Sequence, residues 1–165
     1  MTGAPHKGSS VSLRPVTAET VRQVCALAVA RDQRGNVSPN ALSIAQAYFE
    51  PAAWFRAIYA DDAPVGFVLL YDPTLPDASP HPEFPDGTLI LWRFMIDRAF
   101  QGFGFGRHAI TLILDHARTR PGIDRVAASF VPGPHGAGGF YAGLGFRETG
   151  RLLAKETEIE IAIDL

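Results

Sequence analysis

The chain has a single cysteine, Cys25, among its 165 residues, which excludes a disulfide framework and a thiolate metal cluster. Val24, Ala26 and Leu27 flank it, so a buried, inert thiol is expected. No run of Lys or Arg occurs, and the formal net charge is −2. That balance excludes the broad basic face that nucleic acid requires. The opening "MTGAPHKGSS" has no hydrophobic signal core, and the longest uncharged stretches are broken by Pro and Gly. A soluble, cytoplasmic protein without a membrane partner is therefore expected. His108 and His116 lie eight residues apart in one predicted helix, a polar-face spacing, so no metal is expected.

What is present is an ordinary globular balance, 47% apolar and 19% charged, on a chain of one-domain length. Residues 1–9 are expected as a disordered leader and 10–165 as a single domain. "VSLRPV" (11–16) is a short strand candidate. Apolar spacing predicts a helix over 17–33 with Thr17 as N-cap, and Ser38-Pro39 opens a second. "WFRAIYA" and "PVGFVLLY" flank Asp61-Asp62-Ala63 as a hairpin. The Pro-rich 72–87 tract predicts a semi-rigid loop. "TLILWRFMID" (88–97) is apolar on nearly both faces, hence a central strand. Ala109, Ile110, Ile113, Leu114 and Ala117 form the buried face of a helix over 106–118. A strand at 125–131, a glycine-diluted short helix within 135–146, a strand near 146–152 and an alternating strand at 157–165 complete a mixed α/β order.

Between the central strand and the long helix runs "AFQGFGFGRHAI" (99–110). Glycines at 102, 104 and 106, ahead of a helix N-terminus, suit a phosphate. Phosphate loops that cleave nucleoside triphosphates place Lys and Ser or Thr after the last glycine, whereas Arg107 and His108 stand here. Gly104-Phe105-Gly106-Arg107-His108-Ala109 fits a dinucleotide pattern, but the acid that should meet the ribose, Asp124, precedes the next strand instead of ending it. A ligand-free turn that only needs left-handed glycine is the remaining alternative.

Gln101-Gly102-Phe103-Gly104-Phe105-Gly106 also resembles the Q/R-x-x-G-x-G/A pyrophosphate loop of the GCN5-related N-acetyltransferases (GNAT), and "FYAGLGF" (140–146) is similar to the ending of that family's fourth helix. The element order from 11 to 165 follows the same family, and "WRFMID", "QGFGFGR" and "SPNALSIAQA" look most like bacterial polyamine or diamine acetyltransferases. The resemblance implies a GNAT-type α/β fold: a mixed, mostly antiparallel sheet of about six or seven strands flanked by about four helices. It implies acetyl-CoA as acyl donor. Backbone groups of Phe94, Met95 and Ile96 would hold the pantetheine arm, and residues Gln101, Gly102, Phe103, Gly104, Phe105, Gly106 and Arg107 the pyrophosphate. Tyr141 matches the family's general acid. The partner implied is a small-molecule amine, and a homodimer is common in the family.

Pro134 stands where related polyamine enzymes often carry Asn. Glycines 136, 138 and 139 should weaken the following helix by up to about 1 kcal/mol each relative to Ala. From Ala57 to Trp92 no Lys or Arg occurs, and Glu83 and Asp86 in that tract are candidates for binding a cationic acceptor. Arg93 on the central strand would repel such an amine if it faced the site, which keeps an amino acid or aminoglycoside open as acceptor. Glu50, Glu83 and His81 are candidate general bases, with a water relay as the alternative. A non-catalytic acyl-CoA-binding module is the rival function.

Overall fold

A computed structural model describes residues 4–165; the first three residues of the expected leader lie outside the described residues. Within the same leader, the Ser9 amide donates to His6 O, and Ser9 is buried. The elements are β1 (Val11–Arg14), α1 (Val21–Ala26), a 3-10 turn (Arg31–Gln33), α2 (Asn40–Ala47), β2 (Ala53–Ala60), β3 (Ala63–Tyr71), β4 (Thr88–Ile96), α3 (Phe105–Arg118), β5 (Arg125–Phe130), α4 (Gly138–Ala142), β6 (Arg147–Leu153) and β7 (Glu158–Asp164). All seven strands join one sheet in the order β1-β2-β3-β4-β5-β7-β6. Neighbours are antiparallel except β4 and β5, the pair that α3 connects, since parallel neighbours need a crossover. Among the described residues this is the expected mixed, mostly antiparallel sheet with four helices, and β4 lies at its centre.

Side-chain alternation divides the core in two. One cluster packs α3 and α4 against Val68, Leu70, Leu89, Leu91, Val126, Ala128 and Ile161. The five α3 positions read from the sequence are all buried there, joined by Phe105. The second cluster lies on the other face, where Val24 and Ala47 of α1 and α2 meet Ala57, Phe67, Leu69 and Met95.

Local signals were overridden in the first helical region. Instead of running over 17–33, α1 covers only Val21–Ala26, because Leu27 is extended (φ −63°, ψ 135°) and the Ala28 amide donates to the Asp97 carboxylate at 2.8 Å. A contact between residues 69 apart thus decides where the helix ends. Thr17 sits one turn ahead of α1, its carbonyl accepting from the amides of Thr20 and Val21. Pro39, not Ser38, is the N-cap of α2. Cys25 is half-buried, since Val24 alone of α1 is fully covered.

The β2–β3 hairpin closes on a two-residue turn, with Ala60 opposite Ala63 and Asp61 at φ +52°. Asp72 opens the Pro-rich loop and is fully buried, accepting from the Thr74 amide at 2.9 Å and forming an ion pair with Arg120, whose Nε donates to Thr74 Oγ1 at 2.8 Å. These bonds hold the loop against the end of α3. Among the described residues, no helix is long and apolar enough to cross a membrane.

Candidate active site

The site arises where two neighbouring strands stop pairing. β4 and β5 are hydrogen-bonded only through Thr88–Ile90 and Arg125–Ala127. Beyond that point β4 continues to Ile96 along β3, while Ala128, Ser129 and Phe130 follow β7. Trp92 is the extra residue of a bulge, since Leu70 faces Leu91 and Leu69 faces Arg93. Bulges bend a strand and break its ladder. The diverging strands leave an open edge on β4 that includes Phe94, Met95 and Ile96. A cavity of about 1340 Å³ occupies this opening, above the roughly 300–1,000 Å³ of ordinary small-molecule pockets and suited to an extended ligand with a second reactant.

At one end of the opening lies the glycine loop, whose three glycines serve different needs. Gly102 and Gly104 have φ of +80° and +90°, and an added Cβ at either would meet nothing within 4 Å; backbone conformation alone requires glycine there. Gly106 lies inside α3, where a Cβ would stand 3.3 Å from the Phe140 ring. Gly104 caps α3 without any side-chain hydrogen bond, and the first helical bond runs from the His108 amide to Gly104 O at 3.2 Å. The amides of Phe105, Gly106 and Arg107 therefore lack helical acceptors, at the positive end of a 14-residue helix dipole. Such a terminus fits a phosphate.

Gln101 has a structural task as well. Its Nε2 donates to Gln33 Oε1 at 2.8 Å and to Ile96 O at 3.1 Å, buckling the loop to the end of β4 and to the 3-10 turn. Phe103 stacks on Phe105 with ring centroids 5.6 Å apart and packs against the α3-side core, so it anchors the loop without lining the cavity. Phe94, Met95, Ile96, Gln101, Gly102 and Gly104 do line it, as do Phe105, Gly106 and Arg107. Met95 is buried in the α1/α2-side core, and Arg107 reaches Gly143 O on the α4 side at 3.4 Å.

Tyr141 lies on α4, beside the opening on the α3 face of the sheet. It is 6% exposed and lines the cavity. Phe140 and Phe146 hold its ring edge-on, with centroids 5.2 and 5.4 Å away. Burial pushes the phenol well above its ordinary value, so the hydroxyl keeps its proton throughout the physiological range. The glycine-diluted segment before it is packed closely, since a Cβ on Gly138 would come within 2.8 Å of the Phe130 ring. Across the mouth, Asn36 Nδ2 donates to His135 O at 2.8 Å, and His135 Nδ1 lies 3.4 Å from Asp32.

The opposite end of the cavity is polar. Glu50, Tyr71, His81 and Glu83 line it, whereas Asp86 is exposed and outside the lining. Arg93 does face the cavity. Its Nη1 donates to Trp92 O at 2.9 Å, its Nε is buried without a hydrogen-bond partner, and desolvation lowers its pKa against the opposing charge of Glu158. Ser129 and Glu158 also line this part, and the Ser129 hydroxyl donates to Glu158 Oε2. No signal in the sequence points to that pair. "TEIEIAIDL" alternates like any half-exposed strand, and only strand register shows what its acidic face meets.

Residues 31–146 match the sequence model of the acetyltransferase (GNAT) family. No curated protein matches the chain in sequence. Among solved structures, an acetyltransferase from Thermus thermophilus superposes with a TM-score of 0.63 at 18% identity, covering 94% of this chain and 97% of that one. A Bacillus subtilis acetyltransferase in complex with CoA gives 0.61 at 14% identity, covering 95% and 99%. A variant of the spermidine N-acetyltransferase of Vibrio cholerae gives 0.67 at 18% identity, covering 93% of each chain. At these identities the likeness is one of fold. The family match runs through the strand opening, the glycine loop and Tyr141 alike, and the chain belongs to the GNAT family of acetyltransferases.

Proposed function

We propose that the protein is an acetyl-CoA-dependent N-acetyltransferase that acetylates a primary amine of a small molecule by direct attack, with Tyr141 as general acid. One observation carries this reading: the opening between β4 and β5 runs from an uncapped helix N-terminus, past an unpaired strand edge, to a buried tyrosine. Bound acetyl-CoA supplies an activated acyl thioester. The amides of 101–107 receive its pyrophosphate. The free edge at Phe94, Met95 and Ile96 pairs with the pantetheine amides as with an added strand, and an amide there steadies the developing oxyanion. Tyr141 gives its proton to the departing thiolate. That transfer is uphill, since a thiol titrates near 8.5 and burial holds the Tyr141 phenol above its ordinary value near 10; the same desolvation makes the departing thiolate more basic, which narrows the gap.

Glu50, Glu83 and Glu158 at the polar end support a cationic acceptor, a polyamine among them. Arg93 in the same wall supports a second reading, an amine that also carries a carboxylate, such as an amino acid. The test is thiol release from acetyl-CoA with a panel of spermidine, putrescine, lysine and kanamycin. Saturable release with at least one amine is expected. Tight binding of acetyl-CoA with no release across the panel would instead identify an acyl-CoA-binding module.

A further inference from the structure

Register divides the groups around the opening between the two faces of the sheet. Val126, Ala128 and Phe130 of β5, Ile161 and Ile163 of β7, and Tyr141 all belong to the α3-side core. Alternation then puts Ser129 on the opposite face, along with Glu158 and Glu160. Arg93 pairs with Leu69, a member of the α1/α2-side core, and so lies on that same opposite face. The opening thus has a proton donor on one side and a carboxylate on the other.

Position along the strands separates Glu158 from Glu50 within the polar part of the cavity. Tyr71, whose phenol senses the charge of Glu50, pairs with Ile90 at the closed end, where β4 still bonds to β5. His81 packs edge-on against that tyrosine with ring centroids 5.1 Å apart, while the carbonyl of Glu83 accepts from Arg151 Nη2 at 2.6 Å. Ser129 instead belongs to the splayed part of β5, and it holds Glu158 by one oxygen, Oε2. The charged neighbours are Arg93 from β4 and, next along β7, Glu160, which Arg151 of β6 engages at 3.1 Å. Glu160 is already paired, whereas Glu158 and Arg93 form no ion pair within 4 Å of each other.

We propose that Glu158, seated by Ser129, is the general base of the acetyl transfer. This rests on the acetyltransferase reading above. A carboxylate is about six pKa units too weak to strip an alkylammonium ion in water, so the acceptor first loses one proton to solvent. Arg93 favours that loss, because a like charge disfavours the ammonium form. The amine nitrogen then bonds to the thioester carbon and becomes strongly acidic, and Glu158 takes its second proton. The C–S bond breaks with its electron pair on sulfur, which takes a proton from Tyr141. Solvent carries the proton of Glu158 away and restores that of Tyr141. The net products are an amide, a thiol and one released proton from an ammonium and a thioester.

The test compares wild type with Glu158→Gln, which keeps an oxygen for the Ser129 hydroxyl, using whichever amine of the panel gives the fastest thiol release. A fall in kcat of about 10²-fold or more is expected, with unchanged acetyl-CoA Kd and loss of the acidic limb of the kcat/KM profile. Ser129→Ala should lower kcat by less and keep that limb. A Glu158→Gln protein with wild-type kcat, or with its loss confined to KM and the acidic limb intact, overturns the assignment. A wild-type protein that binds acetyl-CoA but releases no thiol overturns the acetyltransferase reading, and this one with it.

Discussion

Tyr141 shows how one side chain serves core and site together. Its ring fills space between Phe140 and Phe146, while its residue lines the cavity. Removing only the oxygen leaves that packing intact, so Tyr141→Phe should melt like wild type. Turnover should fall by about 10²- to 10⁴-fold, the usual contribution of a general acid. Acetyl-CoA affinity, measured by titration calorimetry, should stay the same; unchanged turnover would remove Tyr141 from the role. The tyrosine was legible in the sequence because "FYAGLGF" is a contiguous pattern. Arg93 was legible as a residue but its direction was not, since the bulge at Trp92 fixes which face it takes. Glu158 was not legible, as its partner Ser129 is 29 residues away on another strand.

At the scale of elements, the glycine loop and α3 form one unit. The loop needs left-handed backbone at Gly102 and Gly104, and the helix presents its free amides directly behind. At Gly104 an added methyl would meet no atom within 4 Å, so Gly104→Ala isolates the backbone cost. About 1–2 kcal/mol of destabilisation is expected, read as a lower denaturant midpoint. Acetyl-CoA should also bind more weakly, because relaxing the turn re-aims the amides; equal affinity would show that the cradle does not depend on this conformation. Turn chemistry and helical periodicity are local, which is why this unit, the buried face of α3 and the β2–β3 hairpin could be read in advance. The length of α1 could not, because Asp97 captures the chain at Ala28.

At the scale of the whole molecule, a polar cluster ties three distant parts together. Asp72 of the Pro-rich loop binds Arg120, and His116 of α3 lies 4.0 Å from the same carboxylate. Trp54 of β2 stacks on His116 with centroids 4.3 Å apart. Burial lowers the pKa of His116 below its usual 6.5, and the charge of Asp72 opposes that shift without cancelling it. The unfolded chain therefore binds this proton at higher pH than the folded one. Between the lowered value and about 6.5, stability rises with pH, and it is fully present above that window. Thermal melts should accordingly show a higher Tm at pH 7.5 than at pH 5.5. His116→Gln should reduce that difference, and an identical pH response in the variant would exclude His116 as its source.

The sequence by itself determined the elements whose causes lie within a few residues. The alternation of "TEIEIAIDL", the apolar stripe of 106–118, the glycine turn and the long Pro-rich loop each carry their own periodicity or backbone constraint. It also placed "TLILWRFMID" at the centre, because a strand apolar on both faces must be covered on both. The tertiary structure alone decided where β4 and β5 part, which face Arg93 takes and that Ser129 meets Glu158. Those outcomes depend on register between strands far apart in sequence. Register is settled by how both faces of the sheet bury their side chains at once, and no single strand encodes it.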